Sequence, residues 1–282
     1  MSETLVTLWT EVRRRLEGAG VDTPVLDARL LLEAGAGVSR VDIVTDPRRP
    51  VSAAQAQKVR ELAARREARE PVGHIIGRRH FWTLDLAVSK DVLIPRPETE
   101  FVVEAGLEAL PRDASASILD LGAGSGAIIL ALLVERPHAR GVAIDISEAA
   151  LEMTLRNAEA LGVADRLETR CADWNEGVAG DFDLVVSNPP YIPSADIAGL
   201  APEVAQFEPR LALDGGPDGL GAYRRITAAL PALLRPGGRF ALEVGRGQDQ
   251  AVAALAGAAG LSTGEPRRDL SGIPRVVVGS KP

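Results

Sequence analysis

Residues 118–126 read ILDLGAGSG, and this stretch decides the class of fold. Ile118, Leu119 and Leu121 form a short apolar run of the kind that makes a strand buried on both faces. The glycines after it permit a tight turn and let a ligand approach the backbone where a helix begins, near Ala127. The stretch therefore predicts a strand, a ligand-binding loop and a helix. Taken alone, it also fits a glycine-rich turn that holds no ligand.

Further apolar runs follow along the chain, separated by stretches of helical character. They occupy residues 142–144, 184–186, 240–244 and 275–278. Alternation of this kind predicts βαβ units and a largely parallel sheet that is buried on both faces. The predicted fold class is therefore α/β.

Residues 1–80 have a different pattern, that of a small all-helical domain. Apolar residues recur there at helical spacing, and Thr23 and Ser52 are start signals for the second and third helices. Residues 81–97 change to short extended runs, which predict a hairpin linker. Residues 98–282 then form the predicted ligand-binding domain.

The third predicted helix is rich in arginine. Its cationic residues include Arg60, Arg65, Arg66 and Arg69. They either form a basic stripe that meets an acidic partner or belong to a solvated helix face, which is the commoner role of such a charge run.

Composition restricts the classes of function. The 282 residues carry a net charge of -7, with a pI near 5.2. This balance argues against a long phosphate backbone as the main partner, because such affinity comes largely from Lys and Arg. The single cysteine, Cys171, excludes an intrachain disulfide and a cysteine-based zinc site, and no metal site is predicted.

Targeting signals are not visible in the sequence. The N-terminus lacks a basic segment followed by an apolar core, and no apolar run approaches the ~18 residues that span a bilayer. The predicted location is the cytoplasm.

Three features predict a site for an adenosine-containing ligand. The loop residues are Gly122, Ala123, Gly124, Ser125 and Gly126. Asp145 ends the next apolar run, where a carboxylate can accept hydrogen bonds from ribose hydroxyls. Trp174 can lie against a flat adenine, and Asp173 can accept from the adenine amino group. These features suit a nicotinamide cofactor as well as S-adenosylmethionine. Without the loop, Asp145 would fit a helix cap and Trp174 a core position.

The apolar run at residues 184–186 leads into the tetrapeptide NPPY. Its residues are Asn188, Pro189, Pro190 and Tyr191. Such residues are common in stiff turns, but the carboxyl end of a central strand is also where open α/β sheets bind ligands. A primary amide has two N–H donors, which the Asn188 side-chain carbonyl and the Pro189 backbone carbonyl can accept. The Tyr191 ring can pack on the planar group. The motif therefore predicts a site for an amide-type nitrogen.

The order of these motifs resembles that of the seven-stranded Rossmann-like methyltransferases. Three further segments narrow the resemblance: HFW at residues 80–82, LIPRPETE at residues 93–100 and FEPRLAL at residues 207–213. They are similar to the corresponding segments of release factor glutamine methyltransferases of the HemK/PrmC type. The resemblance spans essentially the whole chain, including the helical N-terminal part that this family uses in substrate recognition.

The resemblance implies a cofactor, a substrate and a set of site residues. The cofactor is S-adenosyl-L-methionine, and the substrate is the glutamine of the Gly-Gly-Gln motif in class 1 peptide chain release factors. The implied cofactor-binding residues are Gly122, Ala123, Gly124, Ser125, Gly126, Asp145, Trp174 and Asn188. The implied substrate-binding residues are Asn188, Pro189, Pro190 and Tyr191, of which Asn188, Pro189 and Tyr191 are catalytic. Asp120 is expected near the methionine end of the cofactor.

Two other functions fit parts of the sequence. A DNA or RNA base amino-group methyltransferase would keep the same chemistry, but the acidic composition and the helical N-terminal part count against it. A non-catalytic adaptor that binds an adenosine or NAD cofactor would not need the intact NPPY tetrapeptide. The leading hypothesis further predicts a monomer with no membrane association and no stable nucleic-acid complex.

Overall fold

The computed structural model describes residues 3–178 and 180–282. By their contacts these residues form two units. One contains the chain up to Arg78 together with Ala201–Phe207, and the other contains Arg79–Leu200 with Glu208–Pro282. The boundaries predicted at residues 80 and 97 stay a prediction.

The first unit is helical. Its helices are α1 (Leu5–Gly18), α2 (Pro24–Ala36), α3 (Arg40–Thr45), α4 (Ala53–Glu67) and α5 (Val72–Ile76), and the later segment contributes the short α9 (Pro202–Phe207). The predicted starts at Thr23 and Ser52 are confirmed. Ser52 and Gln55 form a capping box, in which each side chain bonds the backbone N–H of the other residue. Apolar faces of α1, α2 and α4 bury a common core that includes Leu8, Leu31 and Val59.

The arginines of α4, and Arg69 just after it, are engaged inside this unit. Arg60 binds Glu3 and Glu11, and Arg65 binds Glu70. Arg66 is buried and donates to Asp27 at 2.7 Å and to Glu203 at 2.9 Å, while Arg69 donates to both oxygens of Glu203. These intramolecular carboxylates neutralise the four cations. A basic stripe that awaits an acidic partner is therefore not what these residues form.

The second unit contains a large mixed sheet and a hairpin whose first residue, Arg78, ends the helical unit. The hairpin pairs β1 (Arg78–Phe81) with β2 (Leu84–Ala87). The sheet strands are β3 (Ser117–Leu121), β4 (Arg140–Asp145), β5 (Leu167–Cys171), β6 (Phe182–Ser187), β7 (Leu234–Glu243), β8 (Ser262–Thr263), β9 (Arg267–Arg268) and β10 (Pro274–Ser280). The five apolar runs predicted as strands are all present, and β5, the strand expected before Ala172, lies parallel to β4.

The strands follow the order β5-β4-β3-β6-β7-β10-β8, with the two-residue β9 paired to β10. The pairs β4–β5, β3–β4, β3–β6 and β6–β7 are parallel, whereas β10 is antiparallel to β7. Because β3 and β6 are neighbours, the loops that follow them open at the same edge of the sheet. The glycine loop and the NPPY tetrapeptide follow these two strands.

Helices cover both faces of the sheet. They are α6 (Glu100–Ala109), α7 (Ala127–Glu135), α8 (Glu148–Ala160), α10 (Gly221–Leu233) and α11 (Asp249–Ala258). Residues Ala127 to Leu133 of α7 are all buried, which explains its almost uninterrupted apolar sequence. One core lies around α6 and α7, and the other lies around α10 and β7. The α/β class and the largely parallel sheet are confirmed. Among the described helices, none has both the length and the apolar character needed to cross a bilayer.

Candidate active site

The loop after β3 holds three glycines in left-handed backbone conformations. The φ angles are 74° at Gly122, 59° at Gly124 and 80° at Gly126, values that residues with a Cβ adopt only at a cost. The Gly122 and Ala123 amides donate to the Ile144 carbonyl at 2.8 and 2.9 Å, which fixes the loop on the end of β4. The sequence therefore needs glycine here both for the turn and for space around the backbone.

Asp145 lies at the end of β4, directly beside this loop. Its Oδ2 accepts from the Gly124 amide and its Oδ1 accepts from the Ser147 amide, both at 2.9 Å. Each carboxylate oxygen has a second lone pair, so the side chain can still accept hydrogen bonds from a ligand. Asp145 thus supports the turn before α8, whose cap is Ser147, and it lines the same cavity as the loop. Its contact with a ribose stays a prediction.

Asp120 is fully buried beneath the loop. Its Oδ2 accepts from the Ile129 amide at 3.3 Å, while its Oδ1 has no partner among the described residues. Burial raises the pKa of the Asp120 carboxyl to about 7, and the negative charge of Asp145 acts in the same direction. Oδ1 of Asp120 is thus an unsatisfied acceptor close to the end of β3.

Trp174 and Asp173 follow β5. Trp174 has φ 59°, which is unusual for a residue with a side chain and is the kind of strain found at ligand clamps. A Cβ placed on Gly122 would lie 3.8 Å from Cζ3 of the Trp174 ring, so ring and loop are neighbours. Asp173 forms a bidentate ion pair with Arg225 of α10 at 2.9 and 3.0 Å, a partner that the sequence did not indicate.

A cavity of about 570 Å³ brings most of the predicted site residues together. Its walls include Gly122, Ala123, Gly124, Ser125, Asp145, Trp174, Asn188 and Pro190, together with Thr99 and Leu211. Gly126, Pro189 and Tyr191 are not among the residues that line it. A carboxylate and an indole beside a glycine-rich loop, around one concave space, suit a nucleoside ligand, so the residues fit an adenosine-type cofactor.

Asn188 is held at the end of β6, the strand next to β3. Ser187 donates to the Leu121 carbonyl at 2.6 Å and ties the two strand ends together. The Asn188 Nδ2 group donates to Oγ1 of Thr99 at 3.0 Å. The side-chain carbonyl oxygen of Asn188 is then the atom left to accept a hydrogen bond from a ligand.

Tyr191 is anchored by its backbone and by its ring. Its carbonyl accepts from Gln248 Nε2 at 3.0 Å, and the partly buried ring packs against the core around β7. A Cβ on Gly245 would lie only 3.0 Å from Cδ2 of this ring. Burial, followed by the charge of Glu243, raises the pKa of the Tyr191 hydroxyl above its ordinary value. Stacking of the ring on a bound amide stays a prediction.

Glu243, the last residue of β7, is a buried carboxyl that sequence reasoning missed. It is 2% exposed, and its Oε2 has no hydrogen-bond partner among the described residues. Burial raises the pKa of Glu243 to about 7, and the Thr99 and Tyr191 hydroxyls act against this shift. Glu98 raises the same pKa and Arg275 lowers it. The only local signal was a glutamate at the end of a strongly apolar strand, before Gly245 and Gln248.

The α/β fold class is the one found in methyltransferases of known structure. Residues 102–202 match the family profile described as "Methyltransferase small domain". The fold is similar to a methyltransferase from Pyrococcus furiosus, with a TM-score of 0.52, 18% identity, and coverage of 71% of this chain and 90% of that one. It is also similar to the Thermus thermophilus 16S rRNA N2 G1207 methyltransferase in complex with AdoMet and guanosine, with a TM-score of 0.50, 20% identity, and coverage of 73% and 50%.

Sequence relatives identify the particular family. Residues 7–77 match the profile described as "PrmC N-terminal domain". A release factor glutamine methyltransferase from Caulobacter vibrioides is 52% identical over 100% of this chain and 98% of its own length. Another, from Rhodospirillum rubrum, is 52% identical over 94% of this chain and 81% of its own length. The chain belongs to the release factor glutamine methyltransferase family.

Proposed function

We propose that this enzyme transfers a methyl group from S-adenosyl-L-methionine to the side-chain amide nitrogen of the glutamine in the Gly-Gly-Gln motif of class 1 peptide chain release factors. Family membership at 52% identity over the full chain supports the reaction. The observation in the site that carries it is Asn188, whose nitrogen is engaged by Thr99 and whose carbonyl oxygen is left for a donor. A primary amide is such a donor.

All the cofactor-binding residues in this proposal except Gly126 line the cavity. Bound there, S-adenosylmethionine supplies a methyl group on a positively charged sulfur. Asp145 would accept from the ribose hydroxyls, Trp174 would lie against the adenine, and the loop of residues 122–126 would leave room for the ligand close to the backbone. The free Oδ1 of buried Asp120 would favour a positively charged group nearby.

The residues that hold the substrate amide would act mainly by positioning it. An amide nitrogen is a weak nucleophile because its lone pair is delocalised into the carbonyl. Two acceptors, the Asn188 Oδ1 and the Pro189 carbonyl, would hold both N–H groups and stabilise positive charge that develops on the nitrogen. Fixing the nitrogen at near-attack distance then supplies much of the acceleration. The surplus proton leaves to water after transfer.

The alternative substrate, an amino group on a nucleic-acid base, has less support. The NPPY site would accept an exocyclic amino group as well as an amide. However, the arginines of α4 that would give phosphate contacts are paired with carboxylates, and the net charge is -7. Release factors are therefore the proposed partners, and a monomeric, cytoplasmic enzyme without stable nucleic-acid binding stays a prediction.

Transfer to the Gly-Gly-Gln glutamine is tested with labelled S-adenosylmethionine and unmodified release factor. The expected result is one label, located by peptide mass spectrometry on that glutamine. A release factor with the glutamine changed to alanine is the substrate control and should take no label. Asn188→Ala should lower transfer about 100-fold, the scale of removing one preorganised hydrogen bond to the transition state, while cofactor binding remains measurable. Label on nucleic acid and none on the release factor would refute the proposal.

A further inference from the structure

We infer that Gln248 is a positioning residue for the methyl transfer: its side-chain amide holds the Tyr191 carbonyl and so fixes the NPPY tetrapeptide in place. This inference deepens the proposed function and rests on it. Gln248 stands directly before α11 and is not among the residues that line the cavity. Its effect on the reaction therefore passes through Tyr191 and not through contact with the substrate.

The NPPY tetrapeptide has few backbone donors of its own. Pro189 and Pro190 have no N–H group, so neither can donate a hydrogen bond to a neighbouring segment. Their rings restrict φ, which stiffens the chain but does not decide where it lies. Anchoring therefore depends largely on carbonyl oxygens, and each of these needs a donor from elsewhere in the protein. A donor that holds one end of this stiff segment also fixes the direction of the Pro189 carbonyl, the proposed acceptor for the substrate amide.

The two ends of the tetrapeptide are held by different parts of the chain. Just before its start, Ser187 donates to the Leu121 carbonyl at 2.6 Å, which ties the end of β6 to β3. At its end, the Tyr191 carbonyl accepts from Gln248 Nε2 at 3.0 Å. The side chain of Gln248 thus supplies a fixed contact after the tetrapeptide, as the sheet supplies one before it.

Both ends of the Gln248 amide are engaged, so its orientation is defined. Oε1 accepts from the Gly245 amide at 3.0 Å, and Nε2 donates to the Gly219 carbonyl at 3.4 Å as well as to Tyr191. A half-turn of this amide would place its oxygen against two carbonyl oxygens and its NH2 group against an N–H. Only one orientation therefore satisfies all three contacts, and it joins the turn after β7, the tetrapeptide and the loop before α10.

Glycines pack closely around this contact. A Cβ on Gly219 would overlap the Tyr191 carbonyl oxygen and would lie 2.7 Å from Gln248 Nε2. A Cβ on Gly245 would lie 2.7 Å from Gln248 Oε1, and one on Gly215 would lie 2.8 Å from Tyr191 Cα. In an interior packed this closely, a side chain at any of the three positions would displace the group that it meets. The surroundings therefore hold Tyr191 and Gln248 at a defined separation.

The loop before α10 connects this contact to the cavity. Gly215 and Gly216 line the cavity, whereas Gly219 of the same loop accepts from Gln248. The Gly215 amide also donates at 2.9 Å to the carbonyl of Ile192, the residue after the tetrapeptide. Gln248 therefore holds both the tetrapeptide and a loop that forms part of the cavity wall. A shift of about 1 Å between reacting groups costs up to roughly 100-fold in rate, so this hold matters for catalysis.

The test compares two variants of similar size at position 248. Gln248→Met keeps the length of the side chain and removes its hydrogen bonds, whereas Gln248→Glu keeps an acceptor for Gly245 and turns a second oxygen towards the Tyr191 carbonyl. We expect kcat of Q248M to fall about 10-fold, the scale of one hydrogen bond. In Q248E it should fall further, because the carboxylate repels the carbonyl oxygen. If Gln248 only filled space, both variants would turn over like the parent enzyme.

Two further variants serve as matched controls. Gln250→Glu makes the same change of charge at an exposed position of α11. Tyr223→Phe removes another hydrogen bond to a backbone carbonyl at the end of β7, the one that the Tyr223 hydroxyl donates to Glu243 at 2.8 Å. Both should keep kcat within about 2-fold of the parent enzyme, on the same conversion. Urea denaturation of all four variants shows how much stability each has lost.

A second readout separates positioning from binding. Because Gln248 does not line the cavity, Q248M and Q248E should keep both the Kd for S-adenosylmethionine and the KM for the release factor within about 2-fold of the parent values. A lower kcat at constant KM identifies an interaction that is realised in the transition state and not in uniform binding.

The outcomes are distinguishable from failure of the proposed function. If the parent enzyme methylates the release factor and Q248M and Q248E match its kcat, the positioning role is refuted and the function stands. A raised Kd or KM with unchanged kcat would also refute it, since Gln248 would then serve binding. A loss of kcat in Tyr223→Phe equal to that in Q248M would show that lost stability explains the effect. If the parent enzyme transfers nothing to release factors, both proposals fail together.

Discussion

Gly124 and Gly126 occupy the same loop but tolerate a side chain differently. Both have positive φ angles, so any Cβ strains the backbone at either position. Around Gly124 nothing lies within 4 Å of the added atom, whereas at Gly126 it would meet Leu130 and Thr154 at 2.9 Å. Backbone strain alone therefore opposes a side chain at Gly124, whereas strain and close packing both oppose one at Gly126.

Gly126→Ala should destabilise the fold more than Gly124→Ala. We expect losses of about 2–4 kcal/mol at Gly126, where strain and overpacking add, and about 1 kcal/mol at Gly124, where strain acts alone. Urea denaturation of the two variants measures the difference. Gly124→Ala should nevertheless weaken S-adenosylmethionine binding, because Gly124 lines the cavity. Equal stability losses would contradict the packing assigned to Gly126.

Asp145 should control affinity for the cofactor. Asp145→Ala removes the acceptor for ribose and also frees the Gly124 amide, so the Kd for S-adenosylmethionine should rise by about 10- to 100-fold, the loss of one or two hydrogen bonds to a charged group. Isothermal titration calorimetry gives this value directly. Asp173→Ala serves as the comparison, because that carboxylate is already paired with Arg225 and should matter less. An unchanged Kd in Asp145→Ala would rule out the ribose contact.

The candidate site residues that could be predicted are those that a local sequence pattern marks. The glycine loop, Asp145 and the NPPY tetrapeptide each follow a strand, and an apolar run in the sequence predicts each of these strands. Thr99 and Glu243 lack such a signal. Thr99 meets Asn188 across 89 positions of sequence, and only the pairing of distant elements creates that contact. The burial and the raised pKa of Glu243 likewise depend on residues that are distant in sequence, and local patterns do not specify these neighbours.

At the scale of elements, helix starts were predicted better than strand limits. Thr23 and Ser52 carry local start signals, and the structure uses both positions. Strand β7 begins at Leu234, well before the apolar run at residue 240. Its first half contains Pro236, Gly237 and Gly238, which are typical of a turn. These residues are held in the strand by hydrogen bonds to distant segments of the same chain. For example, the Gly237 amide donates to the Lys281 carbonyl.

Two arginines of α4 should differ sharply in their contribution to stability. Arg66→Ala leaves the buried carboxylate of Asp27 without its cation, and we expect a loss of about 3–5 kcal/mol in the free energy of unfolding. Arg65→Ala breaks a more exposed pair with Glu70 and should cost less than about 1 kcal/mol. Chemical denaturation of both variants provides the comparison. Similar losses would show that burial of the Arg66 pair does not determine its energy.

For the whole molecule, two buried carboxyls make stability depend on pH. The pKa values of Asp120 and Glu243 are raised to about 7 in the folded chain, above the values that these groups have when unfolded. Groups with raised folded pKa values stabilise the protein fully below their unfolded pKa, and this contribution is lost as the pH rises through the folded pKa. The stability of the cofactor-free protein should therefore fall between pH 5 and pH 8.

Glu243→Gln isolates one of these two groups. The variant cannot ionise at position 243, so its free energy of unfolding should fall by about 2–3 kcal/mol less than that of the parent between pH 5 and pH 8, as expected for a shift of two pKa units or so. Equilibrium denaturation at the two pH values provides the measurement. The same decline in both proteins would mean that Glu243 does not titrate in this range.

The helical unit is completed by a segment that the chain reaches much later, since Ala201–Phe207 belongs to it and Glu203 binds both Arg66 and Arg69. The first 78 residues alone therefore do not make up the complete helical unit. A recombination event that replaced them with those of a distant relative would exchange residues 66 and 69 but not the segment that carries Glu203, their hydrogen-bond partner. Inheritance of the N-terminal helices is thus coupled to a stretch just past the NPPY tetrapeptide, and substitutions at Arg66, Arg69 and Glu203 should be found to change together across lineages.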